Sequence, residues 1–159
     1  MLTLAQQQVL HDDIVADPAF NSVPTNADGH FAIAAAYNLP AAPAFIAWRT
    51  NVPTADCKKA MIWTEFVARS AGERDAWQFM LSNGFINAGD PNIRQGIQDV
   101  FSGPGGAASR AALVAIAKRA ATRAEQLFAT GTGSDASPAT MTFEGALSFQ
   151  DVEAARALL

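Results

Sequence analysis

Residues 70–84, SAGERDAWQFMLSNG, contain signals that begin, continue and end a helix. Ser70 and Glu73 have the spacing of a capping box, in which the two side chains bond main-chain N–H groups at a helix N-terminus. Trp77, Met80 and Leu81 follow at helical spacing, and Gly84 is a residue type that commonly ends helices. The stretch predicts a helix between Ser70 and Gly84 and, with its neighbours, a mostly α fold.

Similar patterns on either side predict further helices. Thr3 and Gln6 form a second capping box and predict a first helix over residues 4–16. Asp90-Pro91 begins another helix, in which apolar residues from Ile93 to Phe101 share a face. The other predicted helical segments are residues 30–38, one turn at 44–49, residues 54–69 and residues 108–129, the last being the longest. The sequence therefore predicts a compact bundle of about five to seven helices, and one helical domain over residues 1–159.

The C-terminal part of the chain has a different pattern. Residues 130–138 are rich in Gly, Ser and Thr, which predicts a long exposed loop. Residues 140–144 alternate in a way that permits a short strand, and Ser148 with Asp151 can cap a final helix. We therefore expect residues 139–159 to form a C-terminal arm or docking segment.

Composition argues against several classes of protein. The chain carries 11 Lys+Arg against 15 Asp+Glu, a net charge of −4, so it lacks the dense basic surface of a specific nucleic-acid binder. Its single cysteine, Cys57, excludes a disulfide framework within the chain. The uncharged stretch 31–48 contains Pro40 and Pro43, which disfavours a membrane span. With no signal-peptide pattern at the N-terminus, the sequence predicts a protein made in the cytoplasm that binds no membrane.

No arrangement of residues predicts a catalytic, cofactor-binding or metal site. The two histidines, His11 and His30, are far apart in the sequence and have no nucleophile beside them. Glu65, Glu73 and Asp75 could form a paired-acid hydrolase site, but first-turn acids also stabilise helix N-termini. The glycine-rich segments lack the Gly-Lys-Ser/Thr ending of a phosphate-binding loop. The sequence therefore predicts no enzyme, no cofactor and no metal.

Candidate interface residues lie near the end of the longest predicted helix. Arg119 and Arg123 are one turn apart there and are expected to project together, as an exposed basic face or as a contact strip for an acidic partner. The adjoining loop is adaptable, a combination that suits a protein interface. The full set of predicted interface residues is Arg119, Arg123, Thr130, Gly131, Gly133, Asp135, Phe143 and Leu159.

Several segments resemble a family of small proteins encoded by tailed bacteriophages and prophages, often among the virion structural genes. The segments that carry the resemblance are FAIAAAYN (31–38), PAFIAWRT (43–50), PNIRQGI (91–97), DVFSG (99–103), RAEQLFATGTGSD (123–135) and FEG (143–145). Members of the family are mostly uncharacterised, so the resemblance brings no catalytic residues with it.

The resemblance implies a structural protein of the phage particle, located in the virion and assembled in the cytoplasm of the bacterial host. By analogy of size and class, it is similar to a head-to-tail connector or adaptor, and a tail or capsid accessory role fits equally well. The implied partners are portal, tail or capsid proteins and further copies of itself in a ring or repeated array. The alternative is a small cytosolic phage enzyme or host-directed inhibitor, which would depend on His30, Glu65 or Glu73.

Overall fold

The computed structural model describes residues 1–158 and confirms a mostly α fold, with 54% of residues helical. The described residues form ten α-helices rather than five to seven, because several predicted helices are interrupted. The helices are α1 Leu4–Ala16, α2 Pro18–Asn21, α3 Ala27–Tyr37, α4 Thr54–Ala60, α5 Trp63–Val67, α6 Ala71–Met80, α7 Pro91–Val100, α8 Ala107–Ile116, α9 Arg123–Leu127 and α10 Phe149–Arg156.

Six short strands form three pairs in the described chain. The strands are β1 Ile46–Trp48, β2 Val52–Pro53, β3 Phe85–Ile86, β4 Lys118–Ala120, β5 Ala129–Thr130 and β6 Thr140–Met141. β1 pairs with β4, β2 with β3 and β5 with β6. The last two pairs are antiparallel, with Val52 opposite Ile86 and Ala129 opposite Met141. The strand permitted by residues 140–144 is therefore present as β6.

Contacts between Cα atoms divide the chain into two compact units. Unit 1 comprises residues 1–47 and 120–159, and unit 2 comprises residues 48–119. Each unit has its own hydrophobic core. That the whole chain forms a single helical domain stays a prediction.

The core of unit 1 forms where α10 packs against α1 and α3. Leu10 and Ile14 from α1, Ile33 from α3 and Val152 from α10 are fully or almost fully buried there. The helix spacing of these apolar residues explains why the three helices bury one face each. α10 thus covers the core of unit 1.

The core of unit 2 is built around an aromatic pair, one member on α6 and the other directly after α7. Trp77 of α6 lies edge-on to Phe101, with ring centroids 5.2 Å apart, and both side chains are buried. Ile97 of α7 and Leu113 of α8 complete the same cluster. Burying a Trp and a Phe together removes a large apolar area from water, so this pair is a main source of stability in unit 2.

The helix starts predicted from capping boxes are confirmed. Thr3 with Gln6, Ser70 with Glu73 and Ser148 with Asp151 all form reciprocal capping hydrogen bonds. α1 has the predicted bounds, because Thr3 satisfies its first N–H groups and Asp17 ends it. Local side-chain chemistry therefore set these boundaries.

The predicted helix over residues 108–129 is wrong. The chain leaves the helix after Ile116, pairs as β4, and starts the new helix α9 behind the N-cap Thr122. The Ala121 N–H donates to the carbonyl of Phe45 at 2.8 Å instead of to a carbonyl one turn earlier. A long-range hydrogen bond thus replaces the helical bonds that alanine propensity favours.

Three other predicted boundaries are also wrong. Residues 44–49 contain β1, Ile46–Trp48, rather than a helical turn, because Ile46 exchanges main-chain hydrogen bonds with Gly133 and Ala139. The helix predicted for residues 54–69 breaks at Met61, whose backbone is extended. The helix predicted from His30 begins at residue 27, because the Asn26 side chain caps the Gly29 N–H.

Candidate functional site

The structure separates the two arginines of the predicted contact strip. Arg119 lies in β4 and Arg123 is the first residue of α9, so they share no helix face. The prediction that they project together one turn apart is therefore wrong, for the same reason that the long helix is interrupted. That either arginine lies at an interface stays a prediction.

Arg123 is held by side chains of its own unit. Its Nη2 lies 3.1 Å from an oxygen of Asp13 and 2.9 Å from an oxygen of Asp17. Its guanidinium carbon lies 4.6 Å from the ring centre of Phe20 and 4.7 Å from that of Tyr37. The Tyr37 hydroxyl also donates to Asp13.

These contacts have electrostatic consequences. The hydrogen bond from Arg123 lowers the pKa of Asp17 below its usual range. Burial raises the pKa of Tyr37, and so does its hydrogen bond to Asp13. Arg123 therefore joins α1, α2, α3 and α9 within unit 1, a role in the fold that the sequence pattern did not indicate.

Residues 131–139 form the connection between β5 and β6. Most of them are exposed, but Gly133 is buried and its carbonyl accepts a hydrogen bond from the Ile46 N–H at 2.7 Å. Within the loop, the Thr132 hydroxyl donates to the Ser137 carbonyl at 3.1 Å. The loop is thus fixed at its centre to the rest of unit 1.

The remaining predicted interface residues lie in different settings. Thr130 is exposed in β5, Gly131 has a positive φ of 114°, and Asp135 is exposed in the loop. Phe143 packs edge-on to Phe128, with ring centroids 5.3 Å apart, which joins it to the core of unit 1. Leu159 lies outside the described residues.

An apolar cleft of about 410 Å³ on unit 2 is the candidate functional site. Its walls are formed by Lys58, Met61, Trp63, Phe66, Trp77, Gln78 and Leu81. Trp63 is 65% exposed, although its ring lies 5.5 Å from that of Phe66. A large aromatic side chain that stays exposed beside an apolar cleft is typical of a binding site.

The cleft is positioned by polar contacts between α5 and α8. Glu65 accepts a hydrogen bond from the Ser109 N–H at 2.7 Å and one from the Ala108 N–H at 3.3 Å, at the start of α8. The buried Ser109 hydroxyl accepts from the Ile62 N–H at 3.0 Å, directly before Trp63. These bonds satisfy N–H groups that the helices leave unpaired at their starts, and they fix the helix that presents Trp63.

The sequence alone gave no sign of this arrangement. The continuous helix predicted over residues 54–69 hid the break at Met61 and the new helix start at Trp63. The bond from Ile62 to Ser109 that accompanies the break joins residues 47 positions apart. No local pattern around Trp63 could have indicated its exposure.

Of the residues on which an enzyme would depend, Glu65 and Glu73 bind helix N-termini and His30 is buried. Glu65 and Glu73 each accept hydrogen bonds at a helix N-terminus, and these bonds lower both pKa values. His30 is 5% exposed, and its Nε2 has no hydrogen-bond partner within residues 1–158. Cys57 is buried, which raises its pKa to about 11.

Residues 1–158 contain no group of three or more His, Cys, Asp or Glu that could hold a metal ion. In the same part of the chain, no helix has the length and apolar character needed to cross a membrane.

Comparison with known proteins adds no relative: no family model, curated protein or solved structure matches this chain.

Proposed function

We propose that this protein is a structural component of a tailed-bacteriophage particle that acts through protein–protein contacts, as a head-to-tail connector or a related tail or capsid accessory protein. The phage assignment is supported by the resemblance of the segments from residue 31 to residue 145. The contact function is supported by one structural observation, the exposed Trp63 beside the apolar cleft of unit 2.

The chemistry of the cleft defines the partner that it fits. Trp63, Phe66 and Leu81 offer apolar surface for one large apolar side chain. Lys58 lines the same cleft, so a carboxylate beside that apolar side chain would meet an opposite charge. The occupant is therefore a segment of another virion protein that carries an apolar anchor next to an acidic residue.

The mounting of Trp63 explains why the exposed ring suits this role. α5 is tied to the start of α8 by Glu65 and by the Ser109 hydroxyl, so the ring is presented from a fixed helix. A rigid anchor loses less conformational entropy on binding than a mobile one does. Tryptophan is also enriched among the residues that contribute most to binding energy.

The test is quantitative mass spectrometry of purified virions made with the wild-type gene and with Trp63→Ala. Trp63→Ala should reduce the amount of this chain in particles by about tenfold or more, as expected for a central aromatic anchor. The matched control is Phe79→Ala, because Phe79 is 80% exposed in unit 2 but does not line the cleft. Far-UV circular dichroism checks that both variants are folded.

The stoichiometry in wild-type particles distinguishes the structural roles. A ratio near one to the portal protein supports the connector role, and a ratio near that of the capsid or tail-tube protein supports an accessory role. Absence of the chain from mature particles contradicts the proposal and favours the cytosolic alternative. Equal incorporation of the Trp63 and Phe79 variants would remove the cleft as the contact site.

A further inference from the structure

The two units carry opposite net charge. Unit 1 contains nine Asp and Glu against two Arg, which gives a net charge of −7. Unit 2 contains nine Lys and Arg against six Asp and Glu, which gives +3, and the two values account for the −4 of the whole chain. A chain with one acidic and one basic unit is complementary to a second copy of itself.

Two arginines of unit 2 donate hydrogen bonds to main-chain carbonyls. Arg69 donates to the carbonyls of Ser102 and Gly105, both at 3.0 Å. Arg94 donates to the carbonyl of Ala88 at 2.6 Å. A carbonyl oxygen has no formal charge, so these bonds do not offset the charge of Arg94, whereas Arg69 also interacts with the carboxylates of Glu65 and Glu73.

In unit 1, Asp13 and Asp17 pair with Arg123, whereas Asp151 is held by main-chain amides. Asp151 accepts hydrogen bonds from the N–H groups of Leu2 and Ser148, at 2.9 and 3.0 Å. A neutral amide stabilises a carboxylate without cancelling its charge, so Asp151 keeps its contribution to the negative charge of unit 1.

A second cleft on unit 2 provides a basic surface of defined shape. It has a volume of about 420 Å³ and is lined by Arg49, Asp56, Lys59, Ala60, Ile116 and Lys118. The ionisable residues of its lining sum to +2, and the other two are apolar. Arg49 is held in place by a hydrogen bond from its Nη1 to the Ile116 carbonyl at 2.9 Å. This basic cleft fits an acidic side chain that has an apolar neighbour.

The outer face of α1 in unit 1 has this combination. Gln8, Asp12 and Val15 follow at intervals of four and three residues, so they share one face of the longest described helix. Asp12 is exposed, Val15 is 51% exposed, and the Gln8 amide donates to Asp12 at 2.9 Å. We name these three residues the α1 stripe. It offers a carboxylate and an aliphatic side chain one turn apart.

We propose that copies of this chain associate head to tail, with the α1 stripe of one copy bound in the basic cleft of the next. The proposal rests on the function proposed above and deepens it by naming a second copy of the chain as a partner. Asp12 meets Lys59 and Arg49, and Val15 meets Ile116 and Ala60. Each copy offers one stripe and one cleft, so the contact is heterologous and repeats along a ring or an open array.

The first experiment is sedimentation velocity of the purified full chain over a range of protein concentrations. At about 50 mM salt we expect species larger than a dimer that grow with concentration, and at about 500 mM salt we expect the monomer, because screening weakens contacts between exposed charges. A monomer at both salt concentrations, up to several hundred micromolar protein, overturns the proposal.

Charge reversal identifies the contact. Lys59→Glu and Asp12→Lys each place like charges across the interface, and each should weaken association by about tenfold or more. The matched control is Lys58→Glu, which makes the same charge change one residue away, at the cleft that contains Trp63. It should weaken association by less than about threefold. Equal effects of Lys58→Glu and Lys59→Glu would overturn the assignment of the basic cleft.

Mixing the two single variants provides an internal control for folding. In an equimolar mixture of Lys59→Glu and Asp12→Lys, every contact between unlike copies again joins opposite charges. We expect association to recover to within about threefold of wild type, and failure to recover overturns the pairing of the stripe with the cleft. Association in solution by a chain that is absent from virions would refute only the proposed function, and a monomeric chain found in virions would refute only this contact.

Discussion

The substitution Gly133→Ala tests whether the loop between β5 and β6 is part of the fold of unit 1. Gly133 has a positive φ of 66°, and a Cβ atom built there overlaps the ring of Phe45. The small and polar residues around Gly133 predict an adaptable interface segment at this position. The structure shows a different reason for a glycine at this position. Gly133 is buried, its backbone is in the left-handed region, and the Phe45 ring occupies the space that a Cβ atom would need.

Two terms set the expected loss of stability. A residue with a side chain pays about 1–2 kcal/mol in the left-handed region. Displacing the Phe45 ring from its packing against Ala47, Ala121 and Met141 adds about 1–2 kcal/mol, which is part of the value of a buried aromatic side chain. The sum is about 2–4 kcal/mol. With a urea dependence of about 2 kcal/mol per molar, this lowers the unfolding midpoint by about 1–2 M.

The assay is urea unfolding followed by circular dichroism at the helical minimum. All three tryptophans, at positions 48, 63 and 77, are assigned to unit 2, and Trp63 and Trp77 lie in its helices α5 and α6, so tryptophan fluorescence follows mainly unit 2. Gly133→Ala should therefore lower the urea midpoint measured by circular dichroism more than the midpoint measured by tryptophan fluorescence. The control is Gly72→Ala in α6, where a Cβ meets no atom within 4 Å and where alanine should stabilise the helix by about 0.5–1 kcal/mol.

A loss of less than about 0.5 kcal/mol for Gly133→Ala would refute this reasoning, because both the backbone and the steric terms would then be absent. If Gly133→Ala were stable but were no longer incorporated into virions, the result would support the prediction from the sequence that Gly133 lies at an interface. Deleting residues 130–135 could not separate these cases, because the deletion also removes the Gly133 carbonyl that binds Ile46.

Three further results are expected. Trp77→Ala should lower the free energy of unfolding of unit 2 by about 3–5 kcal/mol, because this side chain is 1% exposed. Trp63→Ala should lower it by less than about 1 kcal/mol. Equal losses in the two variants would contradict the assignment of Trp63 to the surface. Hydrogen bonds from Ser109 lower the pKa of Glu65, so the stability that Glu65 adds is complete above its unfolded pKa and is lost as pH falls through the folded pKa. Glu65→Gln should therefore show a smaller drop in urea midpoint than wild type between about pH 6 and about pH 3, and an unchanged drop would rule out this linkage. Cys57, buried and with a pKa raised to about 11, should react with a thiol reagent at neutral pH only after unfolding, so rapid labelling of the native chain would show that this core opens.

Much of the helical structure could be predicted because its signals are local. The capping boxes at Thr3, Ser70 and Ser148 place a hydrogen-bonding side chain three residues from its partner, and all three begin helices in the structure. Thr122 and Glu125 have the same spacing and also form a capping box. The apolar stripe from residue 108 to residue 129 fits one continuous helix, so the stripe by itself predicts one helix where the structure has two.

The candidate sites could not be predicted because they depend on contacts between distant residues. The exposure of Trp63 follows from a hydrogen bond between Ile62 and Ser109. The role of Arg123 depends on Asp13 and Asp17, which lie more than 100 residues earlier. The opposite charges of the two units can be counted from the sequence only after the contacts have defined where each unit begins and ends.

The discontinuous sequence of unit 1 has a consequence for protein synthesis. A ribosome completes all of unit 2 before it adds the second segment of unit 1, which begins at residue 120. Until α10 emerges, Leu10 and Ile33 lack the helix that covers them in the finished protein. The nascent chain thus carries a finished basic unit and an unfinished acidic one, so a premature stop before residue 149 would release a chain with an exposed apolar surface. Such a product is a natural substrate for chaperones and proteases.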